Sequence, residues 1–204
     1  MISHALTIVV NELNSHLKDI YAMDTEVARP GNPSDGFDTN NTSSRDSVIF
    51  SVINIREEKT LKNQPNFRRD EASLKALYEN PPVFLNFQIL VMAPHSNYTN
   101  GLLMLSRVLR FFQYRNVFTQ DNVLPASITG NAPTNDLDCL ESFKLIFDLH
   151  SPSMEEINHL WGTLGGKQYP FVIYWMRMLD LKFSGRPREG SLIRETVANI
   201  SHKL

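Results

Sequence analysis

The chain has 204 residues, of which 42% are hydrophobic and 21% are charged, and its formal net charge is −2. This is the composition of an ordinary globular protein with one good-sized domain, or one domain with an appendage. The near-neutral charge gives no general attraction to nucleic acid or to anionic membranes. The single cysteine, Cys139, excludes an internal disulfide and a cysteine-built metal site.

The N-terminal segment predicts an amphipathic helix. Its apolar residues recur at steps of three and four, namely Ile2, Leu6, Val9, Leu13, Leu17 and Ile20. The segment has neither the basic start nor the unbroken apolar stretch of a secretory signal. Elsewhere the apolar runs are far shorter than the roughly 20 residues of a membrane helix. We therefore expect synthesis and folding in the cytosol, with no insertion into a membrane.

Residues 24–46 predict a long polar loop. Glycine, proline, asparagine, aspartate, serine and threonine dominate the segment, and these residues favour turns. Only Val27 and Phe37 could anchor it. Because loops of this length are uncommon inside a compact domain and are often functional, we expect the loop to contact a partner, with Phe37 as a candidate contact.

Four segments predict the main strands of one central sheet. They are Ser47–Ile55, the alternating segment that follows Pro81 and ends before Pro94, the alternating segment around Phe147, and Tyr169–Phe183. A weaker pattern suggests a short strand near Val123.

The helix predicted after Ser96 or Asn97 carries two apolar rows. One row is Tyr98, Leu102, Leu105, Leu109 and Phe112, and the other is Met104, Val108 and Phe111. A sheet covers one row, so the second row needs another cover, and we expect a neighbouring subunit to supply it. The predicted core residues are Leu102, Leu105, Leu109, Phe112, Phe87, Phe147 and Trp161.

Two further helices complete the pattern. Ser153 and Glu156 form a capping box at the start of a helix that ends at Gly165 and Gly166. Residues 184–190 predict a hinge before a short amphipathic C-terminal helix with Ile193, Val197, Ile200 and Leu204. The order predicts an α/β domain, with a mixed-sheet α+β arrangement possible, in which helices flank one sheet of about four main strands. We divide the chain into a domain at 1–183 and an appendage at 184–204.

No motif in the chain assembles a catalytic or cofactor site. Gly31 and Gly36 have the outer spacing of a phosphate-binding loop, but Phe37 and Asp38 stand where lysine and serine or threonine are needed. The six histidines form no zinc-binding helix signature. We expect no cofactor, no metal and no enzymatic activity.

Arg107, Arg110 and Arg115 lie on the otherwise apolar helix. They form either a solvated edge or a surface that meets an acidic partner, and the sequence leaves both readings open.

Three segments together resemble one family. They are "ISHALTIVVNELNSHL", "PPVFLNFQILVMA" with the following helix that ends in "LRFFQYRNVF", and "LWGTLGGKQYPFVIYWMRML". Their order and spacing are similar to the N-terminal domain of the tail-cap, or tail-terminator, proteins of extracellular contractile injection systems of the antifeeding-prophage and virulence-cassette type. The likeness runs from Ile2 to about Phe183.

The resemblance implies a phage tail-terminator-like fold without catalytic residues. It also implies a hexameric ring that binds the inner tube protein and the sheath protein at the end of the particle distal to the baseplate. Such a ring ends polymerisation and fixes the length of a particle that carries toxins and no genome and can be released from the cell. The candidate partner contacts are Arg107, Arg110, Arg115, Phe37, Ile193, Val197 and Ile200.

Two other readings remain open. The chain could be a different tail-completion or connector protein. It could also be a monomeric cytosolic binding module or an enzyme. In that case we expect a pocket with convergent polar groups, and internal cover for the second row of the 98–115 helix.

Overall fold

A computed structural model describes residues 1–23, 26–33, 46–61, 65, 67–70, 75–78, 80–166, 168–181 and 188–191. The helices are α1 (Ile2–Tyr21), α2 (Tyr98–Tyr114), α3 (Pro125–Thr129) and α4 (Met154–Thr163). The strands are β1 (Ala28–Pro30), β2 (Val48–Glu57), β3 (Phe67–Asp70), β4 (Lys75–Tyr78), β5 (Val83–Met92), β6 (Val117–Thr119), β7 (Lys144–His150), β8 (Phe171–Leu181) and β9 (Arg188–Ser191).

The described strands form a six-stranded sheet in the order β1-β2-β5-β8-β7-β6 and a three-stranded sheet in the order β3-β4-β9. β1 runs parallel to β2, and the other neighbours are antiparallel. The mixed α/β class is therefore confirmed. The four predicted main strands are the central four, β2, β5, β8 and β7.

The short elements differ from the sequence prediction. The strand expected near Val123 is wrong, because Val123 lies in a turn and the short strand is β6. The three-stranded sheet was not predicted. Its last strand includes residues 188–190 of the segment in which we expected a hinge.

The six-stranded sheet is covered on both faces. α1 and α2 pack on one face, where Phe87, Ile89 and Val91 of β5 join the larger core. α4 packs on the other face through Trp161, against Leu90 and Met92 of the same strand. The alternation along β5 therefore divides its side chains between two cores, as the sequence pattern predicts.

The second apolar row of α2 and the C-terminal part of the first row are covered within the chain. Met104, Val108 and Phe111 are buried together with Leu105 and Phe112. α1 lies antiparallel to α2, with the His16 ring 5.1 Å from the Phe111 ring. The expectation that a neighbouring subunit covers the second row is therefore wrong, because α1 already does so.

Five of the seven predicted core residues are confirmed as buried, namely Leu105, Phe112, Phe87, Phe147 and Trp161. Leu109 is half-buried at the margin of the core. Leu102 is 42% exposed, so its assignment to the core is wrong. The buried stripe of α2 is rotated towards Met104 and Val108, and this rotation turns Leu102 outward.

Polar side chains of α1 fasten the helix to neighbouring loops. Asn11 donates to the carbonyl oxygens of Ser127 and Gly130, at 3.0 and 2.8 Å. Asn14 pairs with the backbone of Ala28 in both directions, at 2.8 Å each. Because backbone groups at these positions are partly removed from water, the bonds supply partners that they would otherwise lack.

Candidate assembly interface

Arg115 is held inside the chain. Its guanidinium lies 2.6 Å from a carboxylate oxygen of Glu12, whose side chain is 3% exposed. It also donates to Asn122 Oδ1 at 3.0 Å and lies 5.2 Å from the centre of the Phe118 ring. The other Glu12 oxygen accepts the Leu124 N–H at 2.6 Å. Arg115 therefore joins α1, α2 and the loop after β6.

Arg107 is partly buried between the two helices. Its guanidinium carbon lies 4.4 Å from the centre of the Tyr21 ring, in the geometry of a cation–π contact. One terminal nitrogen lies 3.2 Å from the Met23 sulfur. Its Nε is buried and has no hydrogen-bond partner in the described part of the chain. Arg107 thus packs as a flat side chain against α1, which leaves little of it for a partner.

Arg110 is exposed and makes no ion pair among the described residues. It lies on the exposed side of α2, where Tyr114 contacts His16 of α1. The large apolar side chains on this side are Tyr98 at 66%, Leu102 at 42%, Leu103 at 49% and Tyr114 at 78% exposed. We call Tyr98, Leu102, Leu103, Arg110 and Tyr114 the outer face of α2. Of the three predicted arginines, Arg110 is therefore the one available to a partner.

The other predicted contacts, Phe37, Ile193, Val197 and Ile200, lie outside the described residues. Their roles remain predictions.

A second exposed surface was missed by the sequence reading. A one-turn 3₁₀ helix at Asp136–Asp138 is capped by Asn135, whose side-chain oxygen accepts the Leu137 N–H at 3.0 Å. This geometry leaves the Leu137 side chain 65% exposed. Asp136, Asp138 and Glu141 are close to it in sequence and are also exposed. We call Asp136, Leu137, Asp138 and Glu141 the acidic turn. The sequence feature that could have indicated this surface is a leucine between two aspartates.

A groove of about 330 Å³ lies between α4 and the sheet. Its apolar lining includes Ile53, Ile157, Leu160 and Ile173, and its polar lining includes Arg56, Gln88, His150 and Glu156.

These polar groups are engaged with their neighbours. Arg56 stacks 5.3 Å from the centre of the Trp175 ring, and Gln88 accepts from Asn54 at 3.0 Å. Glu156 closes the predicted capping box with Ser153, and the Ser153 backbone N–H holds the pKa of this carboxyl below its usual value. The groove therefore has polar groups, as the binding-module reading expects, but Arg56, Gln88 and Glu156 are engaged with residues next to the groove.

The titratable groups with shifted pKa values have structural explanations. Burial lowers the pKa of His95, and Asp46, 3.6 Å from its Nδ1, opposes the shift. Burial also lowers the pKa of His16 and raises that of the Tyr174 phenol to about 12. These groups do not converge on one site. Among the described residues, no group of three His, Cys, Asp or Glu side chains could hold a metal ion.

The family comparison matches almost the whole chain. Residues 4–195 match the model of the Pvc16 N-terminal domain. The chain belongs to this family. No curated protein is similar to it in sequence at a significant level. Within the described residues, no helix has the length and apolar character needed to span a bilayer.

Two solved structures share the fold of this Pvc16 N-terminal domain. One is the PVC sheath/tube terminator of an extracellular contractile injection system in its extended state, with a TM-score of 0.60 and 13% identity over 97% of this chain. The other is the tube-terminating cap of the anti-feeding prophage, with a TM-score of 0.54 and 15% identity over 94% of this chain. The chain spans 63% and 60% of the length of those two proteins.

Proposed function

We propose that this protein is a structural tail terminator of a phage-tail-like contractile injection particle. The observation that carries the proposal is the family match over residues 4–195. It is supported by a similarity in fold to a sheath/tube terminator that covers 97% of this chain. In this role the protein binds the end of the inner tube and the sheath, and prevents the addition of further subunits.

The mechanism is geometric. One face of the terminator matches the end of a tube ring, and its opposite face lacks a surface on which another tube ring can dock. Growth then stops because the next subunit has no binding site, and the length of the particle is fixed. Such a mechanism needs a rigid scaffold with surfaces at its two ends. The doubly covered six-stranded sheet supports this requirement.

The terminator acts as a ring of six copies around the tube axis. Head-to-tail contacts close into a ring when the rotation between neighbours divides a full turn evenly. Because α1 covers the second apolar row of α2 within the chain, ring closure must use surfaces other than that row. The outer face of α2 is one of them, with Tyr98 at 66% and Leu103 at 49% exposed.

The particle is assembled in the bacterial cytoplasm and can be released from the cell. We propose no enzymatic activity, because the fold is shared with a terminator and a cap, and Gln88 and Glu156 of the groove are engaged with neighbouring residues.

Imaging of tube ends tests the proposal. The inner tube protein of the same particle is polymerised alone or with this chain, and the tubes are examined by negative stain. We expect extra ring-shaped density at one end of each tube. A connector would also add density at an end but would leave that end able to accept a further component. Bare ends at saturating concentrations of the chain would contradict both roles.

A further inference from the structure

Most of the outer face of α2 is exposed, and its Tyr114 stacks on His16 of α1, with the ring centres 6.4 Å apart. This face combines four large exposed side chains with Arg110, and the sequence of α2, YTNGLLMLSRVLRFFQY, contains no acidic residue. Leu103, Arg110 and Tyr114 are separated by seven and four residues, so they lie along the same side of the helix. A surface of this chemistry fits a partner that is apolar at its centre and acidic at its rim.

The acidic turn has the complementary chemistry. Leu137 is 65% exposed, and Asp136, Asp138 and Glu141, which are close to it in sequence, are exposed as well. None of these carboxylates forms an ion pair with a described residue. The same chain therefore carries an exposed apolar-basic strip and an exposed apolar-acidic projection of complementary charge.

The acidic turn lies at the start of α1, and the end of the outer face that carries Leu102 and Leu103 lies past the other end of α1. The N-terminal amine of Met1 donates to the carbonyl oxygen of Asp138, which places the acidic turn at the start of the helix. At the other end, Tyr21 lies under the guanidinium of Arg107 in α2. The 20 residues of α1 span about 30 Å. Leu102 and Leu103 lie beyond Arg107 in the direction away from the turn, so the acidic turn of one copy cannot reach them in the same chain.

We propose that the acidic turn of one copy docks on the outer face of α2 of the next copy. Leu137 packs against Leu102 and Leu103, and the carboxylates of the acidic turn meet Arg110. Because the contact joins different surfaces of two identical chains, it is head-to-tail and leaves one free surface of each kind until a ring closes. The contact itself needs no tube; its place in a closed ring rests on the proposed function.

Cross-linking between two distinguishable chains tests the contact. One chain carries Leu103→Cys, and a larger tagged chain carries Leu137→Cys, both in a Cys139→Ser background. A disulfide between the two species can form only between copies. The matched control replaces Leu137→Cys with Met154→Cys, because Met154 is a comparably exposed apolar residue, at 73%, on α4. The reaction is run with and without assembled inner tube.

We expect the Leu103–Leu137 heterodimer at a yield roughly tenfold above the control, because a docked pair holds its thiols at a high effective concentration. A yield equal to that of the control, with and without tube, would overturn the contact.

Charge exchange provides the second test. In the cross-linking pair, Arg110→Glu on one chain places like charges together, so we expect a loss of about tenfold in yield. Adding Asp136→Lys and Asp138→Lys to the other chain restores the attraction and the yield. Circular dichroism identifies any variant that fails to fold. Loss without recovery in the folded pair would also contradict the proposal.

The outcomes separate the contact from the function. A chain that caps tubes but gives control yields of cross-link is a terminator with a different subunit interface. A chain that cross-links as expected but leaves tube ends bare has this contact without the proposed function.

Discussion

Arg115 and Glu12 form a nearly buried ion pair, 2.6 Å between nitrogen and oxygen, that joins the end of α2 to the middle of α1. The removal of one partner leaves the other charge buried without compensation. We predict that Arg115→Met lowers the free energy of unfolding by about 3 kcal/mol, measured by urea denaturation. The matched control is Arg110→Met, on the exposed side of the same helix, which should change it by less than about 0.5 kcal/mol.

A second variant tests the cause of that loss. Glu12→Gln keeps an oxygen that can accept the Leu124 N–H and removes the buried charge. In the Arg115→Met background it should recover part of the lost stability. Equal effects of Arg115→Met and Arg110→Met, or no recovery with Glu12→Gln, would show that the pair does not have this role.

Gly101 marks a close approach between α2 and the end of the sheet. A Cβ at this position would lie 3.0 Å from the carbonyl oxygen of Ala93 and 3.6 Å from the Pro170 ring. We predict that Gly101→Ala lowers the thermal midpoint despite the better helix propensity of alanine, at a cost of about 1–3 kcal/mol. Gly162→Ala in α4 is the control, because a Cβ there meets nothing within 4 Å. That change should stabilise the protein by about 0.5–1 kcal/mol. A stabilising Gly101→Ala would contradict the close packing.

His95 should make the stability of the fold depend on pH. Burial lowers its pKa from the ordinary value of 6.5, and Asp46 only partly opposes this. The unfolded chain therefore takes up a proton that the folded chain resists, so stability is full above 6.5 and is lost as the pH falls towards the folded pKa.

We predict that His95→Gln makes the loss of unfolding free energy between about pH 7.5 and about pH 5 shallower. Some slope will remain, because burial lowers the pKa of His16 as well. His159→Gln is the control, since that side chain is 80% exposed. An unchanged slope in His95→Gln would count against the burial of the neutral imidazole.

The long elements could be predicted from the sequence because their signals are local. α1, α2, β5 and β8 each carry ten or more residues of regular apolar spacing, which fixes their type and their buried positions closely. β1 and β6 have three residues each, and β1 ends in a proline. Such short strands form because a longer neighbouring strand offers a free edge. The residues that determine their position therefore lie in the neighbouring strand and not in the short strand itself.

The sequence was a poorer guide to which side chains of each helix are buried and which are exposed. Glu12 and His4 occur on a helix whose polar positions look solvated, yet both are buried. Leu124 and Leu140 donate their N–H groups to these side chains. The two apolar rows of α2 look equivalent in sequence, and the position of α1 decides that Met104 faces inward and Leu102 outward. Contacts with segments that are distant in sequence determine which side of a helix is buried. The outer face of α2 could therefore be identified only from the fold.

Seeded elongation tests the central claim most directly. Preformed tubes of the inner tube protein are incubated with this chain, and labelled tube protein is then added. If the chain is a terminator, labelled tube protein should add to no more than one end of each treated seed, and the chain should lie at the end without label. Untreated seeds should grow at every end that can add subunits. Growth from the end occupied by the chain, at the rate of untreated seeds, would contradict the account.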